Sequence, residues 1–281
     1  MVVTINSDKL VVNIDTEGAQ LLSVKSNGKE RLWQNNNGNW TSHAPVLFPV
    51  AGKVGALVDG KQIPLPQHGV VRHEQFEAKQ IDAATVEMTI SSNDVTRSKY
   101  PFDWTYKLTY SVSGDTLYIK HEVTNIGNKT MYYALGGHES FLLDEDVGNY
   151  KIVLPDDTTL NSLVQDSNGR LNGESVTFAT DGVLRLPADF LDGRTIIFAN
   201  IKSRKALLKD NSDNILAEVN FPDFCNLMLW RPVGGHVICI EPWLNLPDTS
   251  DKPLTELSEK VGFVALPCGK TDVYNRWIKY M

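Results

Sequence analysis

A period of two runs through much of this chain and decides what it can become. In "TYKLTYSV" (105–112), Tyr106, Leu108, Tyr110 and Val112 fall on one side, with Thr105, Lys107, Thr109 and Ser111 on the other. "TVEMTIS" repeats the pattern with Val86, Met88 and Ile90, and "DTLYIKHEV" with Leu117, Ile119, His121 and Val123. Such alternation marks half-buried strands of antiparallel sheets. Turn signals separate the strands: "SNGK" at 26–29, "VDGK" at 58–61, "SGD" at 113–115, "NIGNK" at 125–129, "SNGR" at 167–170 and "LDGR" at 191–194. Short strands punctuated this way predict a sandwich or a barrel. Helical signals are few. "KPLTELSEKVG" (252–262), with Pro near its start and a Gly stop, predicts one or two helical turns. No stretch suits a βαβ unit, and no repeat or break in composition divides the chain. The expectation is one all-β domain over residues 1–281, a large antiparallel β-sandwich with few short helices.

Composition narrows the function. Hydrophobic residues make up 42% of the 281, enough for a substantial core. The net charge of −7, with no basic run, speaks against nucleic acid and against an anionic membrane. The apolar stretch "APVLFPVA" is far too short to span a bilayer. The start, "MVVTINSDKLVV", lacks the basic-then-apolar pattern of a signal peptide, so a cytoplasmic location is expected. Three cysteines (Cys225, Cys239 and Cys268) without a C-x-x-C read as reduced thiols. Fingerprints for dinucleotides, P-loop nucleotides, serine hydrolases and zinc proteases are missing.

Three stretches carry candidate chemistry. "GGHVICIEPW" (234–243) reads as a buried strand that ends in a carboxylate. Val237, Cys239 and Glu241 share a face, and His236, Ile238 and Ile240 share the other. Glu241 is either a strand-end glutamate in water or a desolvated carboxyl suited to proton transfer. Trp243 stands beside it. "YYALGGHESFLL" (132–143) puts His138 behind two glycines, either as a core histidine bonded to a carbonyl or as a proton donor or acceptor. Its neighbour Glu139 should point the opposite way in a strand. "LPQHGVVRHEQF" (65–76) groups His68, Arg72 and His73. It is either a polar loop or a guanidinium and an imidazole facing hydroxyls or an oxyanion. His68 and His73 lie five apart and do not converge on one metal in a helix or a strand, so no metal site is expected.

Read together, "HAPVLFPVAGKV" (43–54), "LPQHGVVR" (65–72), "YPFDW" (100–104), "GGHESF" (136–141) and "CIEPW" (239–243) resemble, in that order, the aldose 1-epimerase (galactose mutarotase-like) family, in particular its bacterial LacX-type branch. Members of the family typically show "QHGFAR" and "GGHPAF" where this chain has "QHGVVR" and "GGHESF". The His, Gly and Arg positions match, and the change to "ES" sets Glu139 beside His138. The resemblance implies a β-sandwich that binds one sugar and interconverts its anomers without cofactor or metal. It implies Glu241 as general base at the C1 hydroxyl and His138 as general acid at the ring oxygen. It also implies His68 and Arg72 as sugar-binding groups. The family's acidic sugar-binding residue is matched to Asp192 in "ADFLDGRTIIF", although Arg194 sits closer to the expected position. Trp243 would pack against the sugar.

The leading expectation is therefore a cofactor-independent isomerase acting on a small-molecule aldohexose, with a homodimer as a further expectation. A hexose-phosphate epimerase would need a basic cluster, for which Lys53, Arg72 and Arg231 are the candidates. A non-catalytic sugar sensor on the same fold would bind without turnover. A glycoside hydrolase would need a second carboxylate opposed to Glu241, and none is evident.

Overall fold

The computed structural model describes residues 1–35, 40–186 and 194–281. The alternation seen in the sequence becomes a nine-stranded sheet. Its strands run in the order Val183–Arg185, Tyr150–Val153, Lys205–Asp210, Ile215–Asn220, Thr271–Tyr280, Thr116–Asn125, Trp104–Ser113, Thr85–Ser91 and Glu77–Asp82. In Trp104–Ser113 the predicted residues Tyr106, Leu108, Tyr110 and Val112 are buried and those between them are half-exposed. The register lines up Met88, Leu108 and His121 across three strands, and Val86, Tyr110, Ile119 and Arg276 across four. Rows of large side chains on one face are what a packed sheet needs, and the second row ends in a guanidinium.

A six-stranded sheet covers that face, in the order Glu139–Leu142, Val237–Trp243, Asn226–Trp230, Thr195–Phe198, Leu160–Gln165 and Leu171–Ala179. All seven residues of Val237–Trp243 are buried, so this strand is covered on both faces. Ile238 and Ile240, with Leu227 and Leu229, join Tyr106 and Leu108 in the main core between the sheets. Ile197, Met228 and Trp243 belong to a smaller apolar cluster with Leu47 and Ala51. The strand period of two separates these sets. One face of the six-stranded sheet fills the sandwich and the other supports the candidate site.

The hairpin turns follow the sequence signals. Asn27–Gly28 and Asp59–Gly60 both have positive φ at the two central positions, the conformation of a tight two-residue hairpin. The helical turn expected within 252–262 forms as a short 3₁₀ turn, Leu257–Glu259. Just before it, Thr255–Glu256 pairs in parallel with Ala56–Val58. That parallel pair departs from the expected antiparallel pattern. The segment is pinned because Lys260 Nζ reaches back to Asp248 (2.6 Å) and Thr255 (3.1 Å) in a buried ion pair. The α-helix among the described residues is Asp94–Lys99, closed by a reciprocal capping box between Asn93 and Thr96. The three cysteines are free. No described helix is long and apolar enough to cross a membrane.

Candidate active site

Glu241 lies opposite Met228 on the face of the six-stranded sheet that turns away from the main core, and it is 2% exposed. Its Oε1 is 3.5 Å from Nε2 of His138, itself 6% exposed. The two residues singled out in separate stretches thus meet. Strand pairing brings them together, because Glu139–Leu142 runs antiparallel beside Val237–Trp243 and His138 stands at its entry.

The two glycines before His138 are required by close approach. A Cβ on Gly136 would lie 2.6 Å from the Trp243 ring and 2.9 Å from the Pro242 carbonyl. A Cβ on Gly137 would lie 2.7 Å from Nη1 of Arg276 and 2.8 Å from Oε2 of Glu139. The first glycine makes room for the indole of the site, and the second for an ion pair behind it.

His68 is held in the left-handed region (φ 64°) by Gly52, which accepts from its backbone N–H (2.7 Å) and donates to its Nδ1 (3.0 Å). An Nδ1 that accepts leaves the proton on Nε2, so His68 is a neutral imidazole with a fixed donor. Gly69 fits because Phe48 O would lie 2.0 Å from any Cβ there. Trp40 stacks on His138 (centroids 5.3 Å, 23°), and Trp230 meets the same ring edge-on at 6.1 Å. These side chains, with Arg72 and Trp243, line a cavity of about 490 Å³. That volume lies within the range of about 300–1,000 Å³ usual for small-molecule sites. Imidazole, indole, guanidinium and amide groups on its walls suit a polyhydroxylated ring with one apolar face. A second cleft, of about 420 Å³ beside Met281, has acidic walls and no imidazole or indole.

Trp40, Trp230, Gln67 and Asn168 line the cavity without having been singled out. They arrive from loops or separate strands, and only the general affinity of indoles for sugar faces pointed to the tryptophans. Arg72, half-buried, donates to Ser42 Oγ at 3.3 Å. His73 is exposed near Glu17, and His236 is exposed near Asp146, so neither belongs to the site. Asp192 lies outside the described residues, and Thr195, just after that segment, lines the cavity.

Burial governs the proton affinities. It pushes the Glu241 carboxyl well above the usual range, and the negative charge of Glu139 adds to this, against a smaller opposing effect of the Trp243 indole. Burial first and the Arg72 charge second lower His138 to about 3. His68 also falls well below the ordinary histidine value, through burial and then the nearby His138 and Arg72. Both shifts within the His138–Glu241 pair favour a single proton held between the two residues, resting on the carboxyl when no ligand is present. The imidazole, the Cys239 thiol and the Glu241 carboxyl place donor atoms within 4.8 Å of one another. Burial first, then the charges of Glu241 and Glu139, raise the proton affinity of the Cys239 thiol.

The β-sandwich thus carries a buried carboxyl–imidazole pair on the floor of a polar, aromatic cavity. The sequence profile of the aldose 1-epimerase family matches residues 1–197, and the chain belongs to that family. The match ends before Glu241. The chain is 26% identical over 264 residues to the plasmid and chromosomal LacX proteins of Lactococcus lactis subsp. lactis, covering 88% of this chain and 88% of each relative. A galactose mutarotase-like protein from Lactobacillus casei ATCC 334 superposes with a TM-score of 0.93 at 27% identity, over 100% of both chains. A galactose mutarotase related enzyme from Lactobacillus acidophilus gives 0.90 at 27% identity, over 100% of this chain and 97% of the other. A galactose 1-epimerase from Lactobacillus acidophilus NCFM gives 0.73 at 14% identity, which speaks to the fold alone.

Proposed function

We propose that this chain is an aldose 1-epimerase that interconverts the α and β anomers of an aldohexose, with Glu241 as general base and His138 as general acid. The observation that carries this reading is the 3.5 Å approach of two buried, oppositely tunable groups on the floor of a sugar-sized cavity. The active tautomer, carboxylate and imidazolium, is one proton transfer from the resting one. Glu241 takes the proton of the C1 hydroxyl while His138 delivers its proton to the ring oxygen. The C1–O5 bond breaks and C1 becomes the aldehyde carbon. Rotation about C1–C2 presents the other carbonyl face, and closure returns both protons. No electrons are gained or lost, and the pair ends as it began. His68, through its fixed Nε2 donor, and Arg72 bind hydroxyls. Trp40, Trp230 and Trp243 form the apolar walls, and each proton transfer contributes about 10²–10⁴-fold.

Polarimetry of freshly dissolved α-D-galactose and α-D-glucose tests the reading. Acceleration above the buffer rate is expected with both or either. A folded protein that accelerates neither sugar, nor glucose 6-phosphate, contradicts it and leaves a sugar-binding role. A second reading, a hexose-phosphate epimerase, draws support from Lys53 and Arg72, which line the same cavity. Acceleration confined to glucose 6-phosphate would select it.

A further inference from the structure

The strand that follows His138 carries a charge into the sandwich core. Glu139 is directly opposite Ile240, so it faces between the sheets while Glu241 faces the cavity. There its Oε1 meets Nη1 of Arg276 at 2.6 Å, with the two residues 2% and 4% exposed. Arg276 comes from the other sheet, at the end of the apolar row through Val86, Tyr110 and Ile119. Its Nε donates to His121 Nε2 at 3.0 Å, which leaves His121 Nδ1 as the donor to Tyr106 Oη at 2.7 Å. An ion pair in this position is costly to desolvate, and burying it is weak evidence for stability. The pair also rests on Gly137, where a Cβ would collide with both members, so it is locked to the backbone that carries His138.

We propose that Arg276 and Glu139 are positioning residues of the acid–base site: the ion pair fixes the backbone entering His138 and supplies a balanced charge behind Glu241. This rests on the reading of His138 and Glu241 as the acid–base pair. Glu139 raises the proton affinity of Glu241 through space, and the guanidinium of Arg276, 2.6 Å from Glu139, sets the opposite charge beside that anion. Glu139 meets Arg276 and acts through space on Tyr110, Tyr280, Cys239 and Glu241. Arg276 faces His121, Tyr106, Tyr110 and Tyr280 as well, with Glu30 and Arg31 beyond Tyr280. On the cavity side, Glu241 faces His138, Cys239 and Trp243, and Arg72 acts on His138. Glu139 and Arg276 are thus a charge pair whose halves can be removed separately.

The test is the pH at which the His138–Glu241 pair loses its proton, read two ways. One is the alkaline limb of the mutarotation pH–rate profile. The other is a ¹³C-carboxyl NMR titration of Glu241, which needs no turnover. Glu139→Gln removes the anion and is expected to lower that pH by about one unit. Arg276→Gln leaves the anion unbalanced and is expected to raise it by a similar amount. Glu139→Gln/Arg276→Gln, free of any uncompensated charge, is expected to lie above Glu139→Gln alone, and it serves if Arg276→Gln does not fold. Shifts in the same direction for both single variants, a double variant at or below Glu139→Gln, or no shift at all would overturn the inference. Opposite NMR shifts in a protein that accelerates no mutarotation would uphold the charge pair and reject the functional reading it rests on.

Discussion

The strands Trp104–Ser113 and Val237–Trp243 are both central, yet they are built on different plans. In the first, every second residue is apolar and buried, and each side chain has one environment. In the second, all residues are buried, so the strand serves the main core through Ile238 and Ile240 and the cavity through Glu241 and Trp243. The alternating strand can spend its sequence on packing alone. The doubly buried strand places a carboxyl at 2% exposure, and that burial raises its proton affinity. The contrast extends to the charges: Lys107 on the wet face meets Glu122 at 2.9 Å in partial solvent, whereas Glu139 and Arg276 meet in the interior.

Substitutions can break this contrast, and the largest effect is expected at the carboxyl. Glu241→Gln should lower kcat by about 10²–10⁴-fold while leaving the melting temperature nearly unchanged, since Gln keeps the shape of a protonated Glu. Polarimetry beside thermal melts checks both. Leu108→Ala, on the alternating strand, should do the reverse. It should cost about 2–5 kcal/mol in denaturant unfolding and, in folded protein, leave kcat close to wild type. Gly136→Ala would push the Trp243 ring and should lower activity by about 10²-fold with a smaller stability loss. The pH dependence should also separate this pair from an ordinary histidine. His138 is lowered to about 3, so it takes up a second proton only near that pH. Mutarotation per folded molecule should therefore persist on acidification through pH 6.5, and a fall centred there would contradict the burial argument. The smallest effect is expected at the half-exposed ion pair, where Lys107→Met should change stability by about 0.5 kcal/mol or less.

Much of this was legible in the sequence, for stateable reasons. Tyr106, Leu108, Tyr110 and Val112 were readable because one wet face imposes a period of two. Asn27–Gly28 and Asp59–Gly60 were readable because few residues accept positive φ. Glu241 stood out as a charge at the end of an apolar run, and Glu139 was expected to point away from His138, as it does. Other features depend on contacts distant in sequence. Trp40 reaches His138 from a loop almost a hundred positions earlier. Arg276 sits in "YNRWIKY", where its place on the inward face becomes meaningful only once the register puts it beside Ile119 and across from Glu139. Of the one or two helical turns expected within 252–262, the 3₁₀ turn Leu257–Glu259 forms, next to the buried Lys260–Asp248 pair that ties the segment to distant chain.

The central claim is that His138 and Glu241 together move the protons of ring opening. Two-dimensional ¹H exchange spectroscopy on an equilibrated sugar, galactose first, measures it directly, because the cross-peaks between the α and β anomeric protons report ring opening and closure at equilibrium. Strong cross-peaks with wild type, reduced to the buffer level by Glu241→Gln and by His138→Asn in folded protein, are the predicted result. Cross-peaks of wild-type strength in either variant would contradict the claim.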